Sequence, residues 1–585
     1  MVAQGLVREK VAGALQDALL RAKENGQLAI EPFPIVSLDL PKRPEWGDLA
    51  TTVAMTLAST EKRPPYDVAQ IILDNLSSHT AIFERVEIAR PGFLNMTIKQ
   101  DLWLQVLTEI AAQGEAYGRC DLGQGRRVLV EYVSANPTGP LHVGHGRGAA
   151  VGQALSNLLR AAGYDVVTEY YVNDAGRQMK LLGASVYARY LDRHGRTVTF
   201  PEEGYRGSYV VEAAERIQKR LGTALLDLPA EQAEERCREL AGESLLELIQ
   251  QDLARFGVTF DLWFSEASLV NTGLVERVLD ELRTRGLLFE QDGALWFRSS
   301  AFGDDKDRVV RKQEGEWTYL ASDIAYHRDK LMRGYDLLVD VWGADHHGYI
   351  GRMEAAVQAY GHPKERLRVV LVQMVNLLRG GQKVEMSKRA GEFITMREVM
   401  DEVGADAAKF FFLMRRSDSH LDFDLDLAKR QSADNPVYYV QYAHARLSSV
   451  FRIAEERGIP VPPPHEASLD LLKDPDELGL IRKLSDYPPV VQGSVAALEP
   501  HRITFYLQEL AGLLHTFYYK HRIMPVMAES DAADEQFVSA GERVVKPRES
   551  ITPELTAARL AMMRQVQQVI KNGLTLLGIS APDRM

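Results

Sequence analysis

The sequence predicts an α/β protein: a parallel-sheet domain, with a small α/β domain before it and an all-α domain after it. Three observations predict this. Between about 126 and 415, short apolar segments rich in β-branched residues alternate with helical patterns, which is typical of a parallel sheet. Before them, "VEIARPGFLNMTI" reads as two strands around a Pro-Gly turn. From about 430 onwards nearly every segment has helical period.

The composition is that of an ordinary soluble protein of three or four domains: 585 residues, 45% apolar and 26% charged. Cys120 and Cys237 are the only cysteines, too few for a disulfide framework or a Cys-rich zinc site. No run approaches about 18 apolar residues and the N-terminal helix lacks a signal-peptide core, so a cytoplasmic protein without a membrane span is expected. The net charge of −12 does not exclude a nucleic-acid partner, because a local basic face decides phosphate affinity.

Domain boundaries follow from changes of pattern along the chain. Residues 1–118 form the first unit, and a Gly-rich polar stretch links it to the second, 119–415. A polar helical stretch at about 185–295 interrupts the second unit and is interpreted as an insertion. Residues 416–585 form the helical unit. The strands expected in the parallel sheet are "RVLVEYV", "DVVTEYYV", "YDLLVDVWG" and "RLRVVLVQMV".

The stretch "SANPTGPLHVGHGRGAAVG", residues 134–152, carries the first chemical signal. It follows a predicted strand and precedes a segment with apolar residues at helical spacing that stops at Gly163. His142 and His145 therefore lie where a loop enters a helix. A helix N-terminus offers unpaired N–H groups and a positive dipole end, which favour an anion.

Other interpretations of this stretch remain open. Gly144, Gly146 and Ala149 satisfy the dinucleotide pattern G-x-G-x-x-G/A, and Asp165 follows about 20 residues on. In that pattern the first glycine leaves the strand directly, whereas about ten loop residues intervene here, so a nicotinamide enzyme is the weaker interpretation. No G-x-x-x-x-G-K-[ST] occurs, which excludes a P-loop ATPase. The two histidines could also be ordinary loop residues, since short patterns recur by chance.

A second signal lies far downstream, in "GGQKVEMSKRAGEF", residues 380–393. Glycines around a Lys-rich polar segment are typical of a loop that contacts phosphates. The alternative is a solvated surface turn, the usual fate of such segments. A strand–HxGH–helix near the start of an α/β domain and an MSK loop at its end form a much rarer combination than either alone.

The pair "HVGH" and "MSKR" resembles the two signature motifs of class I aminoacyl-tRNA synthetases. With "YYVNDAGRQM", "FDLWFSEASLV", "TYLASDIAYH", "VWGADHHGY" and "NPVYYVQYAHARLSS", the chain is similar to bacterial-type arginyl-tRNA synthetases over nearly its whole length. The resemblance implies a Rossmann-like catalytic domain, an N-terminal tRNA-contacting domain and a C-terminal anticodon-binding domain. One departure is Glu385, where the loop motif usually opens with lysine; the second lysine, Lys388, is kept. Lys383 or Arg389 could supply what the first lysine contributes.

The implied reaction joins L-arginine to tRNA(Arg) in two steps, with ATP as a substrate accompanied by Mg²⁺. Its first transition state spreads negative charge over phosphate oxygens, so the protein mainly positions the reactants and places positive partial charges. The resemblance implies catalytic roles for His142, His145 and Lys388. The residues expected at ATP are His142, Gly144, His145, Met386, Ser387 and Lys388. Mg²⁺ should be held by phosphates and water rather than by protein ligands.

Arginine itself requires a dry pocket with carboxylates, because its guanidinium is planar and always charged. The resemblance implies Glu266 and Asp323 for this role. Tyr319 lies four residues before Asp323 on a predicted helix, so its ring could flank the guanidinium. The residues implied around the α-amino and carboxylate end are Glu131, Ser134, Asn136 and Asp345. For any one of these acids, a surface charge is the commoner role.

The segment "ADHHGY" could also be interpreted as a metal site formed by Asp345, His346 and His347. Adjacent histidines on a strand point to opposite faces, so at most one could join Asp345 at one metal. The resemblance instead places this segment after a sheet strand, where it lines the arginine and ATP pocket. No metal ligands are therefore predicted.

Aromatic and basic residues interleave in two C-terminal segments, "NPVYYVQYAHAR" and "HRITFYLQELAGLLHTFYYKHR". Stacking on anticodon bases with phosphate contacts is the functional interpretation. The residues expected to contact tRNA are Tyr438, Tyr442, Arg446, Tyr518 and Arg522. By period alone, Phe505, Leu513 and Phe517 are equally expected in a helix core.

The leading hypothesis is an arginine–tRNA ligase that acts as a monomer. A lysine or cysteine enzyme of the same class is the nearest rival, although only two cysteines occur. A tRNA-binding or regulatory protein without catalysis is the non-enzymatic alternative, and the intact histidines and Lys388 argue against it.

Overall fold

Helices and strands alternate up to Asp424, and only helices follow among the residues that the computed structural model describes: 5–76, 81–196, 198–384, 394–525 and 551–585. The helices are α1 (Leu6–Glu24), α2 (Val53–Glu61), α3 (Pro65–Asn75), α4 (Gln100–Gln113), α5 (Val143–Ala161), α6 (Gly176–Arg193), α7 (Ser208–Leu221), α8 (Ala230–Arg255), α9 (Glu266–Asn271), α10 (Leu274–Thr284), α11 (Tyr319–Met332), α12 (Ile350–Ala359), α13 (Met396–Val403), α14 (Ala405–Leu413), α15 (Leu425–Lys429), α16 (Pro436–Glu456), α17 (Pro475–Ser485), α18 (Tyr487–Ala497), α19 (His501–Lys520) and α20 (Pro553–Leu576). None of these helices is both long and apolar enough to cross a membrane.

The strands in the described part of the chain form four sheets. They are β1 (Leu49–Thr51), β2 (Phe83–Ala89), β3 (Phe93–Ile98), β4 (Arg127–Glu131), β5 (Asp165–Val172), β6 (Leu262–Ser265), β7 (Leu288–Gln291), β8 (Ala294–Phe297), β9 (Arg308–Arg311), β10 (Leu337–Gly343), β11 (Leu367–Val372), β12 (Val375–Arg379), β13 (Gln382–Lys383) and β14 (Leu421–Asp424). The three smaller sheets have the orders β1-β3-β2, β7-β8-β9 and β13-β12-β14.

The central sheet has five parallel strands in the order β11-β10-β4-β5-β6. Counted in chain order, these strands run 5-4-1-2-3, the doubly wound arrangement of a Rossmann-like fold. The four strands predicted from the sequence all lie in this sheet. The strand order reverses between β4 and β10, and in such sheets ligands bind in the crevice at the carboxyl ends beside the reversal.

The range 185–295 differs from the expected helical insertion in its second half. The polar helices α7 and α8 fill its first part, but β6 then returns to the central sheet, and β7 and β8 pair with β9. Each of β6, β7 and β8 has four residues. Strands this short have too few alternations for periodicity to separate them from the helices around them.

The N-terminal unit packs against the C-terminal helices. Its antiparallel sheet β1-β3-β2 is covered by α1 to α4, and one continuous apolar core extends from α1 through α5 to α20. Polar contacts fix the same interface: the Tyr117 hydroxyl donates to the Leu484 carbonyl at 3.0 Å, and Arg8 lies 3.5 Å from Asp486. The three units therefore form one packed body.

The boundary before the helical unit lies later than residue 415. Strand β14 pairs in parallel with β12, so the chain stays within the α/β part to Asp424. This strand is four residues long and follows two helices directly, which is why its pattern merges with theirs in the sequence.

Candidate active site

The chain leaves β4 through a tight turn at the carboxyl edge of the central sheet. Val133 has φ +69° and Ser134 has φ +43°, and the Ser134 N–H donates to the Tyr132 carbonyl at 3.0 Å. A β-branched residue with positive φ is strained and persists only where its surroundings hold it. The Ser134 hydroxyl does so: it donates to Glu131 Oε1 at 2.8 Å and accepts from the Tyr171 N–H at 3.1 Å. Two residues expected at arginine, Glu131 and Ser134, are thereby fixed together.

The two histidines cap helix α5 with their Nδ1 atoms. His142 Nδ1 accepts from the Gly144 N–H at 3.1 Å, and His145 Nδ1 accepts from the His142 N–H at 3.2 Å. Their rings stack with centroids 3.6 Å apart. A neutral imidazole whose Nδ1 accepts carries its proton on Nε2, so Nε2 is the atom of each ring that can donate to an anion. A Cβ at Gly144 would lie 3.0 Å from His142 Cε1, so glycine allows the ring to fold over the helix N-terminus.

The segment after the MSK loop is hydrogen-bonded to the segment before α5. His142 and Thr395 form an antiparallel bridge, and the Met396 N–H donates to the Leu141 carbonyl at 2.7 Å. Thr395 and Met396 thus lie directly beside the N-terminus of α5. Lys383, exposed at the end of β13, is described, whereas the following lie outside the described residues: Glu385, Met386, Ser387, Lys388 and Arg389.

Two carboxylates share a buried pocket at the same edge of the sheet. Glu266, the first residue of α9, is 7% exposed, and Asp323 lies partly buried on α11. Burial and the nearby charge of Asp323 raise the pKa of Glu266 to about 7. Burial raises the pKa of Asp323 to about 6, with Glu131 adding to the shift and His327 opposing it. Two carboxylates that resist ionisation in one pocket indicate a site that a bound cation would stabilise.

Further residues, which the sequence did not single out, form the walls of this acidic pocket. With its nitrogen facing Glu266, the Asn173 amide donates to Glu266 Oε2 at 2.6 Å. Burial and the charge of Asp323 raise the pKa of the Tyr349 hydroxyl to about 12. Asp174 accepts from the Ala267 N–H at 2.9 Å and fixes the turn into α9. The signal for Asn173 and Asp174 was present: "VND" stands directly at the carboxyl end of β5.

The remaining residues expected at arginine lie further out. Tyr319, the first residue of α11, is 65% exposed, and no described contact joins its ring to Asp323. Asn136 donates to Gln178 Oε1 at 2.5 Å. Asp345 is exposed beyond the end of β10. The structure therefore brings Glu131, Ser134, Asp323 and Glu266 to one edge of the sheet and leaves the other three at the surface.

The segment "ADHHGY" forms a 3₁₀ helix, Ala344–Tyr349. The assumption that its two histidines lie on a strand is therefore wrong. Strand β10 ends at Gly343, and the 3₁₀ helix leads from it into α12 at Ile350. Asp345 and His346 lie 3.7 Å apart, and both are exposed. Among the described residues, the grouping that could hold a metal is Asp474, Asp476 and His521, in the C-terminal helices.

Tyrosines and an arginine form a stacked surface on α16 and α19. The rings of Tyr438 and Tyr442 stack with centroids 5.7 Å apart, and the Arg446 guanidinium lies 3.6 Å from the centre of the Tyr518 ring. Arg522 follows α19, and its carbonyl accepts from Arg559. All five residues expected to contact tRNA are partly exposed.

The core alternative for α19 holds for one of its three residues. Phe517 is fully buried, whereas Phe505 is 48% exposed and Leu513 is 39% exposed. Helix α19 therefore buries one face in the core and also exposes apolar side chains to solvent.

Comparisons with known proteins identify the family. Three family models match: "Arginyl tRNA synthetase N terminal domain" over residues 6–98, "tRNA synthetases class I (R), catalytic domain" over 106–420 and "DALR anticodon binding domain" over 440–585. An arginine–tRNA ligase of Citrifermentans bemidjiense is 48% identical over 99% of this chain and 100% of that protein. This chain belongs to the arginyl-tRNA synthetase family.

Two further comparisons agree. An arginine–tRNA ligase of Nitratidesulfovibrio vulgaris is 50% identical over 99% of this chain and 100% of that protein. A solved arginyl-tRNA synthetase of Thermus thermophilus superposes with a TM-score of 0.71 at 22% sequence identity. The match covers 98% of this chain and 100% of the Thermus chain, which shows that the two share a fold.

Arg147 ties helix α5 to the segments that enter strands β12 and β14, one on each side of the MSK loop in the chain. Its wholly buried guanidinium donates to the carbonyls of Gln373 (2.8 Å), Ser419 (2.8 Å) and Arg416 (2.9 Å). Gln373 lies in the turn before β12, and the other two precede β14. Burial lowers the pKa of Arg147 to about 10, so the side chain stays charged at neutral pH.

Replacing Arg147 with methionine should lower the melting temperature of the synthetase. Methionine fills much of the volume but leaves three carbonyls without their donor, and each unsatisfied buried group costs about 1–3 kcal/mol. Arg147→Lys keeps the charge with fewer donors and should fall between the two. Scanning calorimetry of the three proteins measures the effect. A wild-type melting temperature in Arg147→Met would show that these bonds do not hold the strands to α5.

Proposed function

We propose that the protein joins L-arginine to the 3′-terminal adenosine of tRNA(Arg) in two steps, with release of pyrophosphate and then AMP. The observation that carries the proposal is the acidic pocket of Glu266 and Asp323, which lies at the same sheet edge as the histidine cap of α5. A cationic side chain and a polyphosphate can thus bind side by side at the reversal of strand order.

In the first step, a carboxylate oxygen of arginine attacks the α-phosphorus of ATP, and pyrophosphate leaves. His142 and His145 donate from Nε2 to phosphate oxygens as negative charge builds up, and the N-terminus of α5 adds its dipole. Lys388 of the MSK motif contacts the β- and γ-phosphates, with Gly144, Met386 and Ser387 at the nucleotide. In the second step, the 2′-hydroxyl of the terminal adenosine attacks the carbonyl carbon, and AMP leaves.

Arginine is held at both ends. Glu266 and Asp323 bind the guanidinium, and Tyr319 closes over it from the first turn of α11. Glu131, Ser134, Asn136 and Asp345 surround the α-amino and carboxylate groups; the turn at Val133 holds the first two in place. A site that requires a planar cation with hydrogen bonds to two carboxylates rejects lysine at the binding step, since an ammonium group cannot fill the same geometry.

Arginine affinity should fall as the pH falls below about 7. The arginine-free pocket has pKa values of about 7 at Glu266 and about 6 at Asp323. The guanidinium binds the ionised carboxylates and lowers their pKa values, so binding below pH 7 must release protons. The arginine KM should therefore rise about tenfold per pH unit between pH 7 and pH 6, and more steeply below.

Arginine-dependent exchange from about pH 5.5 to about pH 8.5, at saturating ATP and tRNA, measures this dependence. In Glu266→Gln the inflection near pH 7 should disappear while the lower one remains. An arginine KM that stays constant over the whole range would contradict the acidic pocket as the guanidinium site.

Three units divide the work. Residues 1–118 contact tRNA, residues 119–415 with β14 form the adenylate, and the helices of 416–585 bind the anticodon. The stacked surface of Tyr438, Tyr442, Arg446, Tyr518 and Arg522 receives unstacked bases, because every base offers a π-face. Mg²⁺ accompanies ATP on its phosphates. We propose that the protein acts as a monomer in the cytoplasm, where translation consumes charged tRNA.

The proposal is tested by aminoacylation of unfractionated tRNA with each of the amino acids in turn. Arginine alone should be attached. Charging with lysine or cysteine would contradict the arginine specificity but leave the assignment to class I aminoacyl-tRNA synthetases unchanged. No charging with any amino acid, together with tRNA binding, would indicate the non-catalytic alternative. ATP–pyrophosphate exchange should require tRNA, because the acceptor end completes the site by induced fit.

A further inference from the structure

Three carboxylates stand in register on three adjacent strands of the central sheet. Glu169 on β5 is paired with Glu131 on β4, which is paired with Asp340 on β10. All three are less than 9% exposed. Neighbouring strands are about 4.8 Å apart, so three buried negative charges in a row would repel one another strongly.

Helix α11 and Arg333, the residue that follows it, supply three basic side chains to this carboxylate row. His327 Nε2 lies 2.9 Å from Asp340 Oδ2, and Lys330 Nζ donates to Glu131 Oε2. Arg333 donates two hydrogen bonds to the Glu169 carboxylate. These basic residues are three residues apart, and three residues of helix rise about 4.5 Å, close to the strand separation. His327 Nδ1 also lies 2.8 Å from the Asp323 carbonyl oxygen, so both ring nitrogens have a polar neighbour.

Lys330 holds the centre of this arrangement. Its side chain is fully buried, and Nζ donates both to Glu131 and to Asp340 Oδ1, the latter at 2.8 Å. Nζ also lies 4.3 Å from the centre of the Tyr326 ring. Burial opposes the charge on Lys330, but the two carboxylates outweigh it and raise its pKa. Lys330 thus bridges two strands of the sheet as a permanent cation.

The orientation of Glu131 is fixed from both sides. Lys330 Nζ holds Oε2 and the Ser134 hydroxyl holds Oε1, so neither oxygen can rotate away. Each oxygen keeps acceptor capacity for one more donor. The carboxylate therefore faces the site in one orientation before any substrate arrives, which lowers the entropy lost on binding.

We propose that Lys330 is a positioning residue of the arginine site: it acts through Glu131, whose carboxylate it orients towards the substrate's α-ammonium group. The proposal rests on the function proposed above. Lys330 touches neither arginine nor ATP. Without it, Glu131 and Asp340 face each other with one fewer cation; one of them takes up a proton, and Glu131 loses a fixed partner.

Lys330→Met should raise the arginine KM about 10- to 100-fold, the effect of losing a charge-assisted bond that fixes a ligand, while the ATP KM changes less than about twofold. Arg328→Met is the matched control. Arg328 lies on the same helix and pairs with Glu281 at 2.9 Å, outside the carboxylate row. Both KM values should stay at the wild-type level in this control.

The double variant Lys330→Met/Asp340→Asn separates positioning from charge balance. It removes one negative charge together with the cation, so melting should return towards wild type if Lys330 only neutralises its surroundings. A positioning role predicts that the arginine KM stays raised in the double variant even as its stability recovers. The arginine KM is measured by ATP–pyrophosphate exchange in the presence of tRNA, with the wild-type enzyme as reference. Differential scanning fluorimetry gives the stability.

The outcomes are distinct. A raised arginine KM with an unchanged ATP KM in both variants supports the proposal. A wild-type arginine KM in the double variant, or failure of both variants to fold, would assign Lys330 to the fold and overturn it. A wild-type protein that does not activate arginine would instead refute the proposed function.

Discussion

Asp323→Ala and Glu266→Ala should each lower kcat/KM for arginine by about 10²- to 10³-fold. Removing one side of a buried ion pair leaves the guanidinium short of a partner, which typically costs about 3–5 kcal/mol. Asp323→Asn keeps the shape and one acceptor, so it should lose less than Asp323→Ala. The ATP KM should barely change, because the proposed phosphate site is the histidine cap and not the acidic pocket. Steady-state exchange with arginine and with lysine measures these effects, and lysine should not become a good substrate.

Loss of folding does not explain this expected result. A carboxyl whose pKa is raised in the folded state stabilises that state at low pH, and the stability is lost as pH rises through the folded value. For Glu266 that value is about 7, so at neutral pH its ionisation already destabilises the arginine-free protein. Glu266→Gln should therefore melt no lower than wild type. Near wild-type arginine kcat/KM in both alanine variants would remove these residues from the specificity pocket.

His145→Ala should lower kcat for adenylate formation by about 10²- to 10³-fold and leave the arginine KM nearly unchanged. The donor acts on charge that develops in the transition state, where one such contact is worth about 2–4 kcal/mol. Lys388→Ala should act in the same direction, since its proposed role is to contact the β- and γ-phosphates. Single-turnover formation of arginyl-adenylate separates this step from tRNA transfer.

Two further substitutions distinguish catalysis from helix capping, because His145 Nδ1 accepts from the His142 N–H. His145→Asn keeps an acceptor near the Nδ1 position but no donor near Nε2, and it should be nearly as slow as alanine. His145→Gln reaches the Nε2 position with an N–H donor and should recover part of the rate. Equal recovery by asparagine would mean that the cap, and not the donor, sets the rate.

The central fold was accessible from the sequence because its strands are long and apolar. The four predicted strands carry five to eight residues each, enough for the β-branched pattern to stand out. The strands β6 to β8 and β14 have four residues, and their side chains meet partners that local pattern cannot reveal. For the same reason, the position of β14 past residue 415 emerged only from its pairing with β12.

The site divides in the same way between local and distant signals. His142 and His145 are three residues apart, so the sequence alone shows them as one motif. Lys330 does not, because on a charged helix its neighbours in sequence look like those of any solvent-exposed lysine; its burial depends on Glu131, which is remote in the chain. Tyr319 illustrates the converse: its spacing from Asp323 is helical as predicted, yet helical spacing does not fix where the ring lies.

The most direct test of the acidic pocket is the ratio of kcat/KM for L-arginine to that for L-citrulline in tRNA-dependent ATP–pyrophosphate exchange. Citrulline has nearly the shape of arginine but carries a neutral urea in place of the guanidinium. A pocket that binds the cation with Glu266 and Asp323 predicts a preference for arginine of about 10³-fold or more, reduced in Asp323→Asn. Use of citrulline within about tenfold of arginine would contradict the account, because the two carboxylates would then not recognise the substrate's charge.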